Sequence, residues 1–264
     1  MNLFERMARD GAFALGYNLT DQTDGAEVRD LIGRLRPLHC GRELIRIGGD
    51  ADGGYLIPDD LEGVEYCFSP GVGAVADFES HLARLGIKSF LADRSVDSPP
   101  IARPEFTFDK KFLGATDTET SFTLKSWRDK YLAGDVRDLL LEMDIEGSEY
   151  EVILSAPSDT LSAFRVMVIE FHFLEKMFEP FAHAVFKACF DKILEHFHVA
   201  HLHPNNCCGS VQRRGIEVPR IMEFTFCNKR RVTETKYRKD FPHILDRDNT
   251  GRKKPLPLPK CWYS

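Results

Sequence analysis

The stretch LLLEMDIEGSEYEV, residues 139–152, leads from an apolar run through a group of acids into a helical pattern. The three leucines at its start have the continuous hydrophobicity of a strand that is buried on both faces. A glycine and a serine follow the first acids, and EYEVILSA then continues with helical spacing. The stretch therefore predicts a strand, a turn and a helix, which is the repeating unit of a parallel α/β sheet.

Similar units lie on either side of this stretch. VEYCFSPGVG, residues 64–73, is a short apolar strand that ends in a glycine turn, and ADFESHLARLG, residues 76–86, continues as a helix. FRVMVIEFHF, residues 164–173, and HVAHLH, residues 198–203, are two further strands with a long helical stretch between them. We predict one α/β fold with a mostly parallel sheet and helices on both faces. In such sheets, ligands bind at the carboxyl ends of the strands.

The chain of 264 residues has the length of one large α/β domain with additions at its ends. We predict an N-terminal helical segment over residues 1–40, the main domain over residues 41–232, and a proline-containing tail over residues 233–264. The part after Asn228 holds eleven basic and four acidic residues, although the whole chain has a net charge of −6. This basic tail is either a solvated surface or a face for an anionic substrate or partner.

Several classes of protein are disfavoured by the composition. No run approaches the roughly 18 apolar residues of a membrane helix, and MNLFERMARD at the start lacks the apolar core of a signal peptide. The seven cysteines are scattered and form no CxxC pair, which is typical of reduced thiols. We therefore expect a cytoplasmic protein with no membrane span. No nucleic-acid partner is expected, because no recognised binding motif is present. The oligomeric state cannot be predicted from this sequence.

The glycine turn SPGVG contains Gly71 and Gly73 between the first sheet strand and its helix. Glycines at this point allow the backbone to approach a nucleotide-like ligand closely, although a plain tight turn would also use them. Asp93 ends the next strand about twenty residues later, where an acid hydrogen-bonds ribose hydroxyls in nucleotide-binding βαβ units. Together these residues predict a cofactor that carries a ribose.

The later strands all end in polar residues that can carry chemistry. Two alternatives to a functional role remain for them: the acids can cap a helix, and the histidines can be hydrogen-bonded packing residues. The residues are Asp144, Glu146, Glu170, His172, His201, His203, Asn205 and Asn206.

The segments DADGGYLIP, FSPGVGAVADFE, EMDIEGSEYEVI, VIEFH and HLHPNN resemble those of the FkbM-type S-adenosylmethionine-dependent methyltransferases, in the branch with DGGY and HxHxNN segments. The resemblance covers about residues 45–228. It implies a Rossmann-like class I methyltransferase fold with a seven-stranded sheet whose last strand is antiparallel. It also implies O-methylation of a hydroxyl on a sugar, a glycan or a secondary metabolite, with S-adenosylmethionine as the cofactor.

The resemblance further implies how the cofactor is held. Ser69, Gly71 and Gly73 would face its methionine part, and Asp93 would bind its ribose. Asp144 and Glu146 would lie at the reaction centre.

The sequence departs from the common methyltransferase pattern DxGxGxG, because Ser69 replaces the acid and Val75 replaces the third glycine. We expect Glu79 or Asp52 to make the contact that the missing acid normally makes. Tyr55 of the DGGY loop is expected to lie against the reaction centre.

Methyl transfer to a hydroxyl requires a base or a metal that helps to remove the proton. We expect a divalent ion bound by Asp144, His172 and one or both of His201 and His203. Mixed imidazole and carboxylate ligands suit zinc, iron, manganese or nickel better than magnesium. A metal-free alternative makes Asp144, His172 and His203 the catalytic residues.

Glu170, Asn205 and Asn206 are expected to contact the acceptor, which is a small molecule or a glycan. Two other functions remain open for this constellation. One is a metal-dependent hydrolase or oxygenase that uses the cluster of histidines and carboxylates directly. The other is a cofactor-binding protein without catalysis.

Overall fold

The computed structural model describes residues 3–16 and 19–264. It contains thirteen strands in this part of the chain: β1 (Leu44–Ile47), β2 (Tyr55–Pro58), β3 (Tyr66–Pro70), β4 (Lys88–Ala92), β5 (Phe106–Asp109), β6 (Phe112–Leu113), β7 (Ser121–Phe122), β8 (Leu139–Met143), β9 (Phe164–Phe171), β10 (Phe197–Pro204), β11 (Ser210–Arg213), β12 (Ile216–Pro219) and β13 (Met222–Asn228). The described α-helices are α1 (Leu3–Ala14), α2 (Gly25–Arg34), α3 (Asp77–Arg84), α4 (Leu124–Tyr131), α5 (Glu149–Ser155), α6 (Ser158–Ser162) and α7 (Pro180–His196).

A seven-stranded sheet in the order β10-β13-β9-β8-β3-β4-β5 forms the centre of the protein. β13 runs antiparallel to both of its neighbours, and the other strands are parallel to one another. Numbered along the chain within this sheet, the order is 6-7-5-4-1-2-3, with strand 7 reversed. This is the Rossmann-like class I methyltransferase arrangement, and it confirms the predicted fold. The order reverses between β3 and β8, where such sheets bind their ligands.

The main core lies on one face of the sheet, where α2, α4, α5, α6 and α7 pack. The side chains from the sheet include Phe68, Met143 and Phe171, which are all completely buried. Burial of apolar surface of this kind stabilises the fold by about 25 cal/mol per Å². The five residues of β8 are all buried, as the apolar run at the start of the opening stretch predicted.

The opposite face is covered by α3 and by the hairpin of β1 and β2. The sequence predicted only a glycine-rich loop in the region of this hairpin. Ile47 and Ile57 of the hairpin are buried against Val168 of β9. Residues 48–54 form the connection between the two hairpin strands and project towards the carboxyl ends of the sheet strands, because Asp52 and Gly53 line a cavity there.

The C-terminal tail is packed against the domain, whereas the sequence suggested a solvated surface or a face for an anionic substrate or partner. Trp262 is completely buried, and its indole nitrogen donates to the carbonyl of Glu217 at 3.1 Å. Leu258 is also buried. The predicted boundary at residue 233 stays a prediction. Among the described residues, no helix has the length and apolar character that crossing a membrane requires.

Candidate active site

Two adjoining cavities lie at the carboxyl ends of β3, β4 and β8. The larger has a volume of about 630 Å³ and extends from Asp93 to the short strands β6 and β7. The smaller has a volume of about 250 Å³ and extends under the loop of residues 48–54. Both are lined by Gly71, Gly73, Asp144 and Glu146, so the glycine turn and the end of β8 form their common border.

Gly71 is required by a close approach between two backbone segments. Its φ is +94°, and a Cβ atom at this position would lie 1.6 Å from the carbonyl oxygen of Asp144. Gly73 also has a positive φ of +47° but has more space around it. The predicted glycine turn therefore places the loop after β3 directly against the loop after β8, with no side chain between them.

Asp93 lies at the end of β4, is largely buried, and lines the larger cavity. Its Oδ2 atom accepts a hydrogen bond from the amide of Gly73 at 2.9 Å, and its Oδ1 atom accepts from the amide and the hydroxyl of Ser95 at 2.7 and 2.6 Å. These bonds fix the carboxylate next to the glycine turn. Each oxygen has two lone pairs, so the carboxylate can still accept from a ligand hydroxyl.

Ser69 is completely buried and lies beneath the cavities instead of lining them. Its hydroxyl contacts the carboxyl groups of Glu79 and, at 2.7 Å, of Glu142. A hydroxyl can donate only one hydrogen, so one of these two acids must be protonated and donate back. Burial raises the pKa of both carboxyl groups, which is consistent with a retained proton.

Ser69 was expected to contact the cofactor, but in the structure it lines neither cavity. Its hydroxyl contacts the carboxyl group of Glu79 instead. Glu79, Asp52 and Tyr55 do line the smaller cavity, as expected. Glu142 also lines it and was not predicted. Its signal was the alternation within EMD, which places Glu142 and Asp144 on the same face of β8.

His172 is buried at the end of β9 and is surrounded by carboxylates. Its Nδ1 atom lies 3.1 Å from Glu149 Oε1, and that oxygen also accepts from the amides of Ile145 and Gly147. Because Glu149 is so placed, Nδ1 carries the proton in the neutral tautomer. The Nε2 atom then faces three other acids at 3.4–3.8 Å, namely Glu146, Glu170 and Asp144.

These neighbours change the pKa values of the cluster. Burial lowers the pKa of His172, but the adjacent carboxylates outweigh it and leave that pKa above its usual value. Burial raises the pKa of Asp144 to about 7, although His172 acts in the opposite direction. Asp144 can therefore exchange a proton near neutral pH, whereas His172 holds its proton more tightly than an isolated imidazole does.

Polar side chains continue from this cluster across the sheet. In the strand register, Glu170 of β9 lies opposite Glu223 of β13, and Glu223 lies opposite His203 of β10. The amide of Asn205 donates to both oxygens of Glu170 at 3.2 Å. Sequence reasoning missed Glu223, since the antiparallel order of β13 brings it into this row from a strand far along the chain.

His201 and His203 are not part of the Asp144 and His172 cluster in the structure. His201 Nε2 lies 2.7 Å from Asp246 Oδ1, and His203 Nδ1 lies 3.6 Å from the same oxygen. Both histidines project from β10 on the same face, as their spacing predicted, but the tail supplies their carboxylate. No sequence pattern indicated this pairing, because Asp246 lies in the basic tail, which was expected to be a solvated surface or a face for an anionic substrate or partner.

His201 and His203 strongly stabilise the ionised form of Asp246. Burial acts to raise the pKa of Asp246, but the two histidines outweigh it and hold that pKa far below its usual range. Burial lowers the pKa of His201, although Asp246 acts against it. Contacts with Asp246 thus take the place of the expected metal contacts of His201 and His203, and they anchor the tail.

Asn206 has a similar structural partner. Its side-chain amide donates to the carbonyl of Thr250 at 2.9 Å, and its oxygen accepts from the amide of Thr250 at 3.0 Å. Both asparagines were expected to contact the acceptor. In the structure, Asn205 lies beside Glu170, whereas Asn206 binds the tail.

A metal ion fits a different set of ligands from the one expected. Asp144, Glu149 and His172 each offer one ligand atom, and these atoms lie within 4.8 Å of one another. Asp144 Oδ1 and Glu149 Oε2 are buried and have no hydrogen-bond partner among residues 3–16 and 19–264. Carboxylate oxygens and an imidazole nitrogen are ligands that divalent transition-metal ions accept. The donor atoms therefore suit a divalent ion.

Comparison with known proteins agrees with this geometry. Residues 71–198 match the family model for the methyltransferase FkbM domain. No curated protein matched the chain. DGGY and HLHPNN both lie outside the matched residues, so the narrower branch stays a prediction.

Three similar solved structures share little sequence with this chain. A fibrillarin/Nop5p complex is 13% identical, covers 62% of this chain and 72% of its own, and has a TM-score of 0.36. The Burkholderia thailandensis 1,6-didemethyltoxoflavin-N1-methyltransferase is 14% identical, covers 85% of each chain, and has a TM-score of 0.31. The antibiotic-resistance methyltransferase Kmr is 12% identical, covers 70% of this chain and 100% of its own, and has a TM-score of 0.31.

These scores are too low to support an argument, so the fold assignment rests on the order of the strands. The family match includes the glycine turn, Asp93, the opening stretch and His172. Residues 71–198 are therefore similar to the methyltransferase FkbM domain.

Proposed function

We propose that the protein transfers a methyl group from S-adenosylmethionine to a hydroxyl of a sugar, a glycan or a secondary metabolite. The observation that carries the proposal is the joint placement of Gly71, Gly73 and Asp93 at the switch point, within the residues that are similar to the methyltransferase FkbM domain. The free state of the seven cysteines is consistent with a reducing compartment such as the cytoplasm.

The larger cavity is the proposed site of the adenosine. Asp93 would accept hydrogen bonds from the ribose hydroxyls there, and Phe112 and Leu113 offer apolar surface for the adenine. The methionine part would then extend past Gly71 into the smaller cavity. Its positively charged amino group would lie among the acids of that cavity, where Asp52 and Glu79 take the place of the acid in the common methyltransferase pattern.

The acceptor hydroxyl would lie near Asp144 and His172. Methyl transfer is an in-line displacement, so the hydroxyl oxygen must be aligned with the sulfonium carbon and must lose its proton. His172 Nε2 is held in position by the bond between Nδ1 and Glu149, which makes it the proposed base. Glu170, with Asn205 bound to it, is close enough to His172 to orient the acceptor.

We propose a divalent ion as the alternative to His172 acting as the base. Asp144, Glu149 and His172 would hold it, and a bound ion would lower the pKa of a substrate hydroxyl. His201 and His203 are left out of this ligand set because Asp246 pairs with both. No observation favours the hydrolase or oxygenase alternative, which needed those histidines in the cluster.

The charge of the cavities argues against an anionic acceptor. Among the described residues, those lining the two cavities include eight acids and no lysine, arginine or histidine: Asp52, Asp77, Glu79, Asp93, Glu142, Asp144, Glu146 and Glu151. These carboxylates would repel a phosphate or sulfate group bound in either cavity. A neutral acceptor fits better than the anionic one that the basic tail suggested.

Titration calorimetry with S-adenosylmethionine, S-adenosylhomocysteine and NAD tests the proposed cofactor. Binding of the two sulfur nucleotides but not of NAD is the expected result, and binding of neither sulfur nucleotide would overturn the proposal. The metal is tested on protein purified without a nickel column, by elemental analysis followed by chelation and readdition. Full turnover after complete chelation would remove the metal from the proposal and leave His172 as the base.

A further inference from the structure

Asn249 in the C-terminal tail joins three separate parts of the protein. It is 8% exposed, and its side-chain amide donates to Glu223 Oε1 at 2.6 Å and to Asp52 Oδ1 at 3.2 Å. In addition, its backbone carbonyl accepts from the amide of Asp52 at 3.3 Å. One asparagine thus connects the tail, strand β13 and the loop of residues 48–54.

The 48–54 loop is compact and has little freedom to adjust internally. A Cβ atom on Gly48 would lie 2.3 Å from the carbonyl oxygen of Gly53, and one on Gly54 would lie 2.1 Å from that of Gly49. Arg46 donates to the carbonyls of Gly49 and Ala51, at 2.7 and 3.0 Å, and so holds the first half of the loop. The second half, which lines the smaller cavity, is held by Asn249.

The tail on the other side of Asn249 is itself firmly anchored. Asp246 pairs with His201 and His203, and Thr250 exchanges two hydrogen bonds with Asn206. Asn249 lies between these two anchors. The contacts of HLHPNN therefore fix the position from which Asn249 reaches the loop.

We propose that Asn249 is a positioning residue that holds the 48–54 loop, through Asp52, in the place where it completes the cofactor cavity. The inference rests on the proposed function, because it assigns to Asp52 a contact with the methionine part of S-adenosylmethionine. Asn249 itself does not line either cavity, so its effect on the cofactor is transmitted by Asp52. The C-terminal tail is accordingly part of the cofactor site.

The first test measures S-adenosylhomocysteine binding by calorimetry in the variant Asn249→Ala. We expect the affinity to fall about tenfold, because Asp52 loses a donor and the loop loses its anchor. Asn228→Ala is the matched control, since Asn228 is also a buried amide and donates at 3.2 and 2.8 Å to the carbonyls of Ser162 and Phe164. Asn228→Ala should lower the melting temperature but leave the affinity unchanged.

A double-mutant cycle separates positioning from a general loss of stability. If Asn249 acts through Asp52, then Asn249→Ala should have little further effect on affinity in a protein that already carries Asp52→Ala. Multiplied losses in the double variant would overturn the inference. So would an unchanged affinity in Asn249→Ala, provided that the unsubstituted protein binds S-adenosylhomocysteine.

Hydrogen exchange provides a readout that does not depend on the cofactor. The amide of Asp52 donates to the carbonyl of Asn249, so amides in residues 50–54 should exchange faster in Asn249→Ala and not in Asn228→Ala. Unchanged exchange in both variants would overturn the positioning role. Faster exchange in a protein that binds no S-adenosylhomocysteine would keep the loop contact and refute the proposed function alone.

Discussion

The cofactor side and the acceptor side of the candidate site are constructed in different ways. On the cofactor side, Gly71, Gly73 and Asp93 lie within 23 residues of one another and directly follow two adjacent parallel strands. On the acceptor side, Asn205 bonds to Glu170 across 35 positions in the sequence, and His201 of β10 contacts Asp246 of the tail across 45. The first arrangement depends on local turn geometry, and the second depends on how the tail folds back.

The difference explains why one side was predictable. A glycine after a strand can be interpreted from the sequence alone, because the residue type itself indicates a positive φ and a close backbone approach. The role of a histidine at the end of a strand cannot be inferred until the residue that it contacts is known. His172 and His203 look alike in the sequence, yet one faces carboxylates of the cluster and the other faces Asp246 of the tail.

The largest effect is expected where the two loops meet on the cofactor side. In Gly71→Ala, the new methyl group would collide with the carbonyl of Asp144, and the residue would keep an unfavourable positive φ. We expect a loss of about 4 kcal/mol in unfolding free energy, together with the loss of cofactor binding. Urea unfolding and calorimetry measure the two quantities.

Gly63→Ala is the control for this prediction. Gly63 has a similar φ of +75°, but no atom would lie within 4 Å of the added Cβ. Only the cost of the backbone conformation remains, which is about 1 kcal/mol. Equal losses in the two variants would show that the close approach at Gly71 does not matter.

The fold and the cofactor side could be predicted from sequence because their signals are local and repeated. The alternation of apolar strands and helices fixed the order of elements, and the resemblance supplied the antiparallel last strand. The Asp246 pairing and the row through Glu223 could not be predicted in this way. Each depends on which strand lies next to which, and on a tail whose charge suggested solvent exposure although Leu258 and Trp262 are buried.

The second prediction concerns the acceptor side and pH. Burial raises the pKa of Glu223 to about 7 in the folded protein, above the usual 4.5 of a glutamate. A carboxyl whose pKa is raised by folding contributes stability below its unfolded pKa, and this contribution is lost as the pH rises through about 7. The difference corresponds to about 3 kcal/mol.

Glu223→Gln should therefore gain stability relative to the parent protein as the pH is raised from 4.5 to 8. Urea unfolding of the cofactor-free proteins at several pH values measures this difference. Glu195→Gln, in an exposed part of α7, should show no such pH dependence. A parallel pH profile for the parent protein and Glu223→Gln would mean that Glu223 ionises normally in the fold.

The third prediction compares the two similar histidines. His172→Ala should lower kcat about 100-fold, or about 2.7 kcal/mol, because it removes the proposed base, with little change in the affinity for S-adenosylhomocysteine. His203→Ala should lower the melting temperature and change kcat less than tenfold, since its partner is Asp246. A larger loss of kcat in His203→Ala than in His172→Ala would restore the catalytic role that the sequence suggested for His203.

The smallest effect is expected at Asp93, where a single contact on the cofactor side is removed. Asp93→Ala should weaken S-adenosylhomocysteine binding about tenfold, or about 1.4 kcal/mol, because the ribose hydroxyls lose their buried acceptor. The substitution also removes the partner of the Gly73 amide, so the glycine turn becomes less ordered. Calorimetry with S-adenosylhomocysteine measures the loss.

Asp97→Ala is the matched control, since it removes the same charge from an exposed side chain on the same loop. If a general decrease in negative potential were responsible, the two variants would lose similar affinity. A contact with the ribose instead predicts a loss in Asp93→Ala alone, and that loss should disappear when homocysteine, which has no ribose, is the ligand. The Asp93 contact requires no residue from the tail. The losses of affinity in Asp93→Ala and Asn249→Ala should therefore multiply when both substitutions are present. Such independence would show that the ribose contact of Asp93 and the loop held by Asn249 contribute separately to cofactor binding.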